Sequence, residues 1–170
     1  MEICPDYEDL FKTFNSHGVK FLLVGGQAVI YYTEPRYTKD IDVWVIPELN
    51  KSEIVYAALK DFGAPLRGIT TQDFENKNLV FQMGMPPVRI DILLDVNGID
   101  FEKAWKNRKA ALYGQTPIHV LGEEELLFSK KKTGRPQDLV DAEKLKMALE
   151  MRKKDARKKA ARKKKAKLRA

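Results

Sequence analysis

Short apolar runs alternate with longer segments of helical periodicity along most of the chain. The continuous runs predict buried β-strands at residues 19–24, 40–46, 78–83, 88–94 and 118–121. Apolar positions spaced three or four residues apart predict helices from an Asp6 cap to Gly18, at 27–32, from Asn50 or Ser52 to Phe62, at 101–109, at 123–132, and from Pro136 onwards. This order predicts an α/β (α+β) domain, a small mixed β-sheet with helices mainly on one face.

One predicted strand, Asp-Ile-Asp-Val-Trp-Val-Ile, carries two acids in an apolar run. Asp40 and Asp42 are two residues apart, so in a strand their side chains share a face. Carboxylates about 4 Å apart repel by roughly 4 kcal/mol at an effective dielectric near 20. A Mg²⁺ ion between them removes that repulsion. The alternative is a solvated edge strand, but Trp44 shares the aspartate face and disfavours it.

A third acid lies in the apolar run Val-Arg-Ile-Asp-Ile-Leu-Leu. Asp91 is flanked by isoleucines, and a buried carboxylate without a partner is costly. Arg89 has the same strand parity and would be one possible partner. We favour a metal-ligand role for Asp91 over a simple Asp91–Arg89 pair.

Gly25 and Gly26 end a predicted strand and begin a helix. Glycines at such a junction let backbone N–H groups approach a phosphate, which the helix N-terminus also attracts. Neither a Gly-x-Gly-x-x-Gly fingerprint nor a Walker loop is present, so the sequence disfavours dinucleotide-binding and P-loop folds.

Taken together, these segments resemble the DNA polymerase beta-type nucleotidyltransferase superfamily, and within it the bacterial AbiEii-like minimal branch. The similarity covers roughly residues 18–147 and rests on Leu-Val-Gly-Gly-Gln-Ala-Val-Ile, Arg-Tyr-Thr-Lys-Asp-Ile-Asp-Val-Trp-Val, Pro-Val-Arg-Ile-Asp-Ile-Leu and Lys-Lys-Lys-Thr-Gly-Arg-Pro-Gln-Asp-Leu-Val-Asp. It implies a nucleotidyltransferase fold and transfer of NMP from an NTP to a hydroxyl. Some members of that branch act in abortive infection or in toxin–antitoxin pairs.

The resemblance also implies residue roles. Asp40, Asp42 and Asp91 would be the catalytic residues and would bind two Mg²⁺ ions with the NTP. Gly25 and Gly26 would bring the backbone close to the triphosphate.

Basic and hydroxyl side chains are expected to complete the nucleotide site. Arg36 and Thr38 share the parity of the paired aspartates, so we prefer Arg36 to Lys39. Lys130 matches the lysine of the AbiEii-like branch, although it is the first of three consecutive lysines.

Two acids of the last predicted helix, Asp138 and Asp141, lie three residues apart on one face. They would either orient Lys130 and Arg135 or simply be favourable charges in a first helical turn.

The positive charge is concentrated at the C-terminus. Residues 151–170 hold twelve Lys/Arg and one Asp, a net charge of +11. The whole-chain charge of +7 leaves −4 for residues 1–150. We predict a nucleotidyltransferase-like domain at 1–150 and a basic Lys/Ala/Arg-rich tail at 151–170, helical or disordered. The tail is either a solvated helix end or a contact for nucleic acid or another anionic surface.

Two function classes follow. The first is a Mg²⁺-dependent nucleotidyltransferase whose acceptor is a tRNA end, a protein or a small molecule. The second is a non-catalytic nucleotidyltransferase-like regulator or antitoxin that binds a nucleotide or a protein partner. A haloacid-dehalogenase phosphatase is disfavoured because Trp44 stands where that motif has Thr or Val. A single cysteine, Cys4, and no signal peptide or membrane span predict a cytoplasmic protein.

Overall fold

A computed structural model of the chain describes residues 3–46 and 48–167. Its helices are α1 (Pro5–Ser16), α2 (Gly25–Tyr32), α3 (Leu49–Phe62), α4 (Phe101–Asn107), α5 (Glu123–Thr133) and α6 (Pro136–Lys167), with a short 3-10 helix at Thr71–Glu75. The strands are β1 (Phe21–Val24), β2 (Asp40–Val45), β3 (Val80–Met85), β4 (Val88–Leu93), β5 (Lys109–Tyr113) and β6 (Thr116–Val120). Within the described ranges, no helix is both long enough and apolar enough to cross a bilayer.

The strands form one mixed sheet in the order β3-β4-β2-β1-β6-β5. Strands β2 and β4 are parallel neighbours, whereas β1 and β2 are antiparallel. In the β2–β4 register, Asp42 lies opposite Asp91 and Asp40 lies opposite Arg89. Residues opposite each other in neighbouring strands point to the same face. Side chains from the two predicted acidic strands therefore share one face of the sheet.

The other face of the sheet holds much of the hydrophobic core. Ile41, Val43 and Val45 point to it and are fully buried. Helix α1 packs there through Phe11, whose ring stacks on Phe21 at 5.4 Å between centroids. Helix α3 contacts both α1 and the 3-10 helix, so these elements cover the same side. This layer shields the back of the sheet and leaves the aspartate face for the other helices.

Trp44 packs at the apolar end of the sheet face that carries the aspartates. Its ring is 1% exposed and packs edge-on against Phe101 of α4, with centroids 4.9 Å apart. Trp44 and the aspartates therefore lie on the same face of the sheet. This face is packed against α4 at Trp44 and polar at the aspartates.

The mixed α/β class and the mixed sheet are confirmed, and local differences from the sequence prediction have clear causes. Strand β5 was not predicted, because its sequence Lys-Ala-Ala-Leu-Tyr contains good helix formers. The Gly114 turn (φ +60°) pairs it with β6 instead, so tertiary context overrides local propensity. Helix α1 begins at Pro5 rather than at an Asp6 cap, and the 3-10 helix was also missed.

Candidate functional site

A cleft of about 690 Å³ lies on the aspartate face of the sheet, between the strands and helices α5 and α6. Every residue that the sequence analysis assigned to a site lines it: Gly25, Gly26, Arg36, Thr38, Asp40, Asp42, Asp91 and Lys130. The structure therefore brings together residues that are up to 105 positions apart in the chain. Their individual roles in binding and catalysis remain predictions.

Three carboxylates form the floor of the cleft. Asp42 lies opposite Asp91 across the β2–β4 pair, and Asp40 is the next residue on the same face. Burial and, to a lesser extent, the negative charges of Asp40 and Asp91 together raise the pKa of Asp42 to about 6. Lys130 and a hydrogen bond from the Gly26 N–H act in the opposite direction. The floor is thus a partly buried site with an excess of negative charge.

Arg89 provides a cation for two of the three carboxylates. Its Nε donates to Asp91 Oδ1 and its Nη2 to Asp91 Oδ2, both at 3.0 Å. Nη2 also donates to Asp40 Oδ2. Gln82 donates a further hydrogen bond to Asp91 at 3.1 Å. The Asp91–Arg89 pair, which we had disfavoured from the sequence, is therefore present.

The donor set fits a hard divalent cation. Three aspartates at adjacent register positions supply only oxygen ligands, which Mg²⁺ prefers. Asp42 is the carboxylate that Arg89 does not bond, and burial, together with the charges of Asp40 and Asp91, raises its pKa. Among the described residues, no group of three or more His, Cys, Asp or Glu is already arranged as a metal site. Asp40 and Asp91 would therefore have to exchange Arg89 for a metal.

The Gly25-Gly26 turn is needed for close packing in the cleft. Gly25 has a φ of +60°, and a Cβ there would overlap the Asp42 carboxylate. A Cβ on Gly26 would lie 2.8 Å from Thr38 Oγ1 and 3.1 Å from Arg36 Nη2. The two glycines thus make room for predicted site residues, in addition to any access they give a phosphate.

Of the three consecutive lysines at 130–132, Lys130 is the one that lines the cleft. It is 7% exposed, whereas Lys131 and Lys132 are exposed to solvent. Its Nζ donates to Asp138 Oδ1 at 2.7 Å and lies 3.2 Å from Asp141 Oδ2. The two acids of α6 therefore hold Lys130 in place, as one of our alternatives predicted.

The same acids position two arginines. Arg36 Nη2 donates to Asp141 Oδ2 at 2.7 Å, and Arg135 Nε donates to Asp138 Oδ2 at 2.6 Å. Burial alone would raise the pKa of Asp138, but hydrogen bonds from Arg135 and Lys130 lower it below its usual range. The network links α5, α6 and the segment before β2 at the rim of the cleft.

Thr38 and Gln82 fix the orientation of the carboxylates. Thr38 Oγ1 donates to Asp40 Oδ1 at 3.1 Å. Strand parity correctly predicted that Thr38 lies on the same side as Asp40 and Asp42, whereas Gln82 was not predicted to be a site residue. The signal for Gln82 was a polar residue inside an otherwise apolar strand, but its partner depended on the β3–β4 register. The Arg36–Asp141 pair was also missed, since only the fold brings these distant residues together.

Apolar side chains also line part of the cleft. These are Val80, Leu93, Val96 and Leu126, which come from three different parts of the chain. Apolar walls combined with a few polar and charged groups are typical of sites that bind small molecules.

Comparison with known proteins shows which solved structures share this fold. No protein-family model matches the sequence, and no curated protein matches it significantly. Among solved structures, the lincosamide antibiotic adenylyltransferase LnuA, bound to lincomycin, is similar with a TM-score of 0.51 and 16% identity, over 86% of this chain and 98% of that one. An antigenic nucleotidyltransferase-like protein from Paracoccidioides brasiliensis also has a TM-score of 0.51, with 13% identity over 81% of this chain and 72% of that one. The chain described here thus has the fold of a nucleotidyltransferase.

Proposed function

We propose that this protein is a Mg²⁺-dependent nucleotidyltransferase that transfers NMP from an NTP to a hydroxyl of an acceptor. The observation that carries the proposal is the convergence of Asp40, Asp42 and Asp91 on the floor of one cleft, beside the Gly25-Gly26 turn. The fold shared with nucleotidyltransferase structures supports the same reaction class.

The proposed reaction is an in-line displacement at the α-phosphorus. A bond forms between the acceptor oxygen and the α-phosphorus, while the bond to the α–β bridging oxygen breaks. Pyrophosphate leaves, and a carboxylate of the cleft accepts the hydroxyl proton. Bound Mg²⁺ would neutralise the phosphate charge and activate the acceptor oxygen. Positioning and charge neutralisation account for this chemistry without a covalent enzyme intermediate.

The residues of the cleft would have separate roles in the proposed reaction. Asp40, Asp42 and Asp91 would hold the metal, since they supply its preferred ligands. Arg36 and Lys130 would neutralise the triphosphate from the rim, where Asp141 holds both. The excess charge on the floor of the cleft and the cations at its rim are thus complementary to a metal–triphosphate complex.

A second candidate function is nucleotide or partner binding without catalysis. It is favoured by Arg89, whose guanidinium pairs with both Asp40 and Asp91. If Arg89 stayed in place when a nucleotide bound, the metal would lack two of its ligands. The protein would then act as a regulator, for example as the antitoxin of a pair.

Pyrophosphate release separates the two functions. The purified protein is incubated with Mg²⁺ and each NTP in turn, in the presence and absence of cell extract. In parallel, α-labelled NTPs show which molecule takes up the label. We expect release and labelling with at least one NTP, and a lack of both with every NTP would favour the binding function.

Asp42→Asn is the matched control for catalysis. The substitution keeps the size of the side chain and removes its charge, so the fold is retained while metal binding is lost. We expect labelling to fall by at least about a hundredfold, in line with losses seen when a charge-stabilising group is removed from an active site. Labelling equal to that of the parent would contradict the catalytic assignment.

The resemblance to the AbiEii-like branch extends the proposal to abortive infection or to a toxin–antitoxin pair. Controlled expression in a bacterial host tests this. We expect the active protein to slow growth and Asp42→Asn to leave growth unchanged. Equal growth with both proteins would argue against a toxin role.

A further inference from the structure

Helix α6 has two parts that differ in how they contact the rest of the protein. Its first part packs on the body, where Asp141, Ala142 and Leu145 are buried. Arg152 donates to Glu123 and to the Tyr32 carbonyl, and Lys153 pairs with Glu124 at 2.8 Å. Beyond these contacts the helix continues to Lys167. We call residues 154–167 the basic extension.

The basic extension carries a large excess of positive charge. It contains nine Lys/Arg and one Asp. All side chains described from 154 to 160 are exposed, and no ion pair joins Lys154, Arg157, Lys158 or Lys159 to another residue of the described structure. Like charges four residues apart on a helix repel one another. A polyanion would relieve this repulsion, whereas no acid of the body forms an ion pair with the described lysines and arginines from 154 to 160.

The composition of the extension disfavours insertion into a membrane. An amphipathic membrane helix needs a face of large apolar side chains. Between 154 and 167 the only uncharged residues are four alanines. The remaining attraction is electrostatic and fits a regularly spaced line of phosphates.

Helix α6 also sets the distance between the extension and the cleft. Asp138 at the rim and Arg152 at the last anchor are separated by about 21 Å along the axis, at 1.5 Å per residue. The end of the helix at Lys167 is about 44 Å from Asp138. A nucleoside or an antibiotic cannot contact both places. A nucleic acid can, since about 21–44 Å corresponds to roughly 6–13 nucleotide steps of a duplex at 3.4 Å each.

We propose that the basic extension is a polynucleotide-binding surface, and that the acceptor for the cleft is a nucleic acid long enough to contact both. This inference rests on the proposed nucleotidyltransferase function and names the substrate class of that site. The extension would hold the phosphate backbone without reading its sequence, and the cleft would receive a hydroxyl of the bound strand.

Binding is measured by fluorescence anisotropy with the full chain, without NTP or metal. The probes are a labelled single-stranded RNA of about 30 nucleotides, which exceeds the length of the helix, and DNA of the same sequence. Affinity is recorded between about 50 and about 200 mM salt. We expect the logarithm of the association constant to fall linearly with the logarithm of the salt concentration for RNA, for DNA or for both. The polynucleotide that binds more tightly shows whether RNA or DNA supplies the phosphates.

A pair of variants with equal loss of charge locates the contact. The test variant is Arg157→Gln, Lys158→Gln, Lys159→Gln. The control variant is Lys103→Gln, Lys106→Gln, Lys109→Gln, at exposed positions on the body. Losing three phosphate contacts should reduce the salt slope by about 2 in the test variant, and its affinity should fall at least tenfold near 0.1 M salt. The control should retain the parent slope.

Three results would overturn the proposal. These are no binding of either polynucleotide, equal losses in the test and control variants, and tighter binding to vesicles of anionic phospholipid than to RNA or DNA. Vesicle binding would instead identify a membrane surface as the partner of the extension.

The transfer reaction distinguishes this inference from the proposed function. Asp42→Asn should keep the salt slope of the parent, because it removes none of the phosphate contacts made by the extension. The α-label of the NTP should appear in the bound nucleic acid with the parent and less with the test variant. Pyrophosphate release with the label in a protein or a small molecule would reject the nucleic-acid acceptor and leave the nucleotidyltransferase function intact.

Discussion

The guanidinium of Arg89 lies where the carboxylates of Asp40 and Asp91 converge. An arginine and a divalent metal satisfy the same charge requirement, so each should exclude the other from these two acids. Arg89 follows Val88 and precedes Asp91 by two residues, so its position on the same face was evident from strand parity. Its role as the resident cation emerged only from the parallel register of β2 and β4.

Substitution of Arg89 tests this competition. We expect Arg89→Gln to lower the thermal midpoint in the presence of a chelator, because Asp40 and Asp91 lose their cation. Mg²⁺ should then raise the midpoint of the variant by about 3 °C or more beyond the shift seen in the parent. Arg89→Lys keeps the charge and should behave as an intermediate. Identical Mg²⁺ shifts in all three proteins, measured by scanning calorimetry, would contradict the idea.

Gly25 offers a second test at the scale of one residue. Gly18 and Gly25 both have positive φ, but a Cβ on Gly18 meets nothing within 4 Å, whereas one on Gly25 overlaps Asp42. Gly18→Ala should cost about 1 kcal/mol of unfolding free energy from backbone strain alone. Gly25→Ala should cost about 2–4 kcal/mol and disturb the cleft, because overpacking adds to that strain. Urea unfolding compares the two, and equal losses would mean that the Asp42 contact is unimportant.

At the scale of elements, α5 and α6 are joined by buried ion pairs rather than by apolar contacts alone. Asp138 and Asp141 are nearly or fully buried and bond Lys130, Arg135 and Arg36. A buried charge without its partner is strongly destabilising. This network therefore holds the rim of the cleft in one arrangement.

The network should make stability depend on pH in a defined direction. The folded-state pKa of Asp138 is lowered, so its contribution is complete above the unfolded pKa near 3.9 and is lost as pH falls through the lower folded value. Asp138→Asn should cost roughly 2–4 kcal/mol at pH 7, and progressively less as the pH falls below about 4. Asp155→Asn, on an exposed part of the same helix, should cost almost nothing. A constant difference between Asp138→Asn and the parent from pH 7 to pH 3, measured by chemical denaturation, would refute this linkage.

At the scale of the whole molecule, the chain separates into an acidic body and a strongly basic helical end. The predicted division at residue 150 lies close to the last contacts of α6, which are made by Arg152 and Lys153. Arg152 also packs against the ring of Tyr32, with 5.6 Å between its Cζ and the ring centroid. Folding therefore involves the helix as far as these two residues.

Truncation tests this division. Removal of residues 154–170 should leave the thermal midpoint within about 2 °C of the parent, since the described side chains from 154 to 160 are exposed. Arg152→Ala in the full chain should lower the unfolding free energy by about 1 kcal/mol, because it removes an ion pair and a ring contact. A large loss on truncation would mean that the basic extension belongs to the folded body.

Much of the site could be predicted from the sequence because its signals are local. Acids inside apolar runs and a Gly-Gly junction stand out against their neighbours, and strand parity places side chains on a face without knowledge of the fold. Lys130 was harder to choose from three lysines, since burial decides between them and burial depends on helix packing.

The sequence by itself determined the mixed α/β class, the acidic strands, the glycine turn and the position of the positive charge, because each depends on residue type and short-range spacing. The tertiary structure alone decided that β5 is a strand, that Arg89 neutralises Asp40 and Asp91, and that Arg36 pairs with Asp141. These outcomes depend on strand order and register, which are set by the packing of the whole core. Contacts between residues 36 and 141 have no local signature, so only the folded chain brings them together.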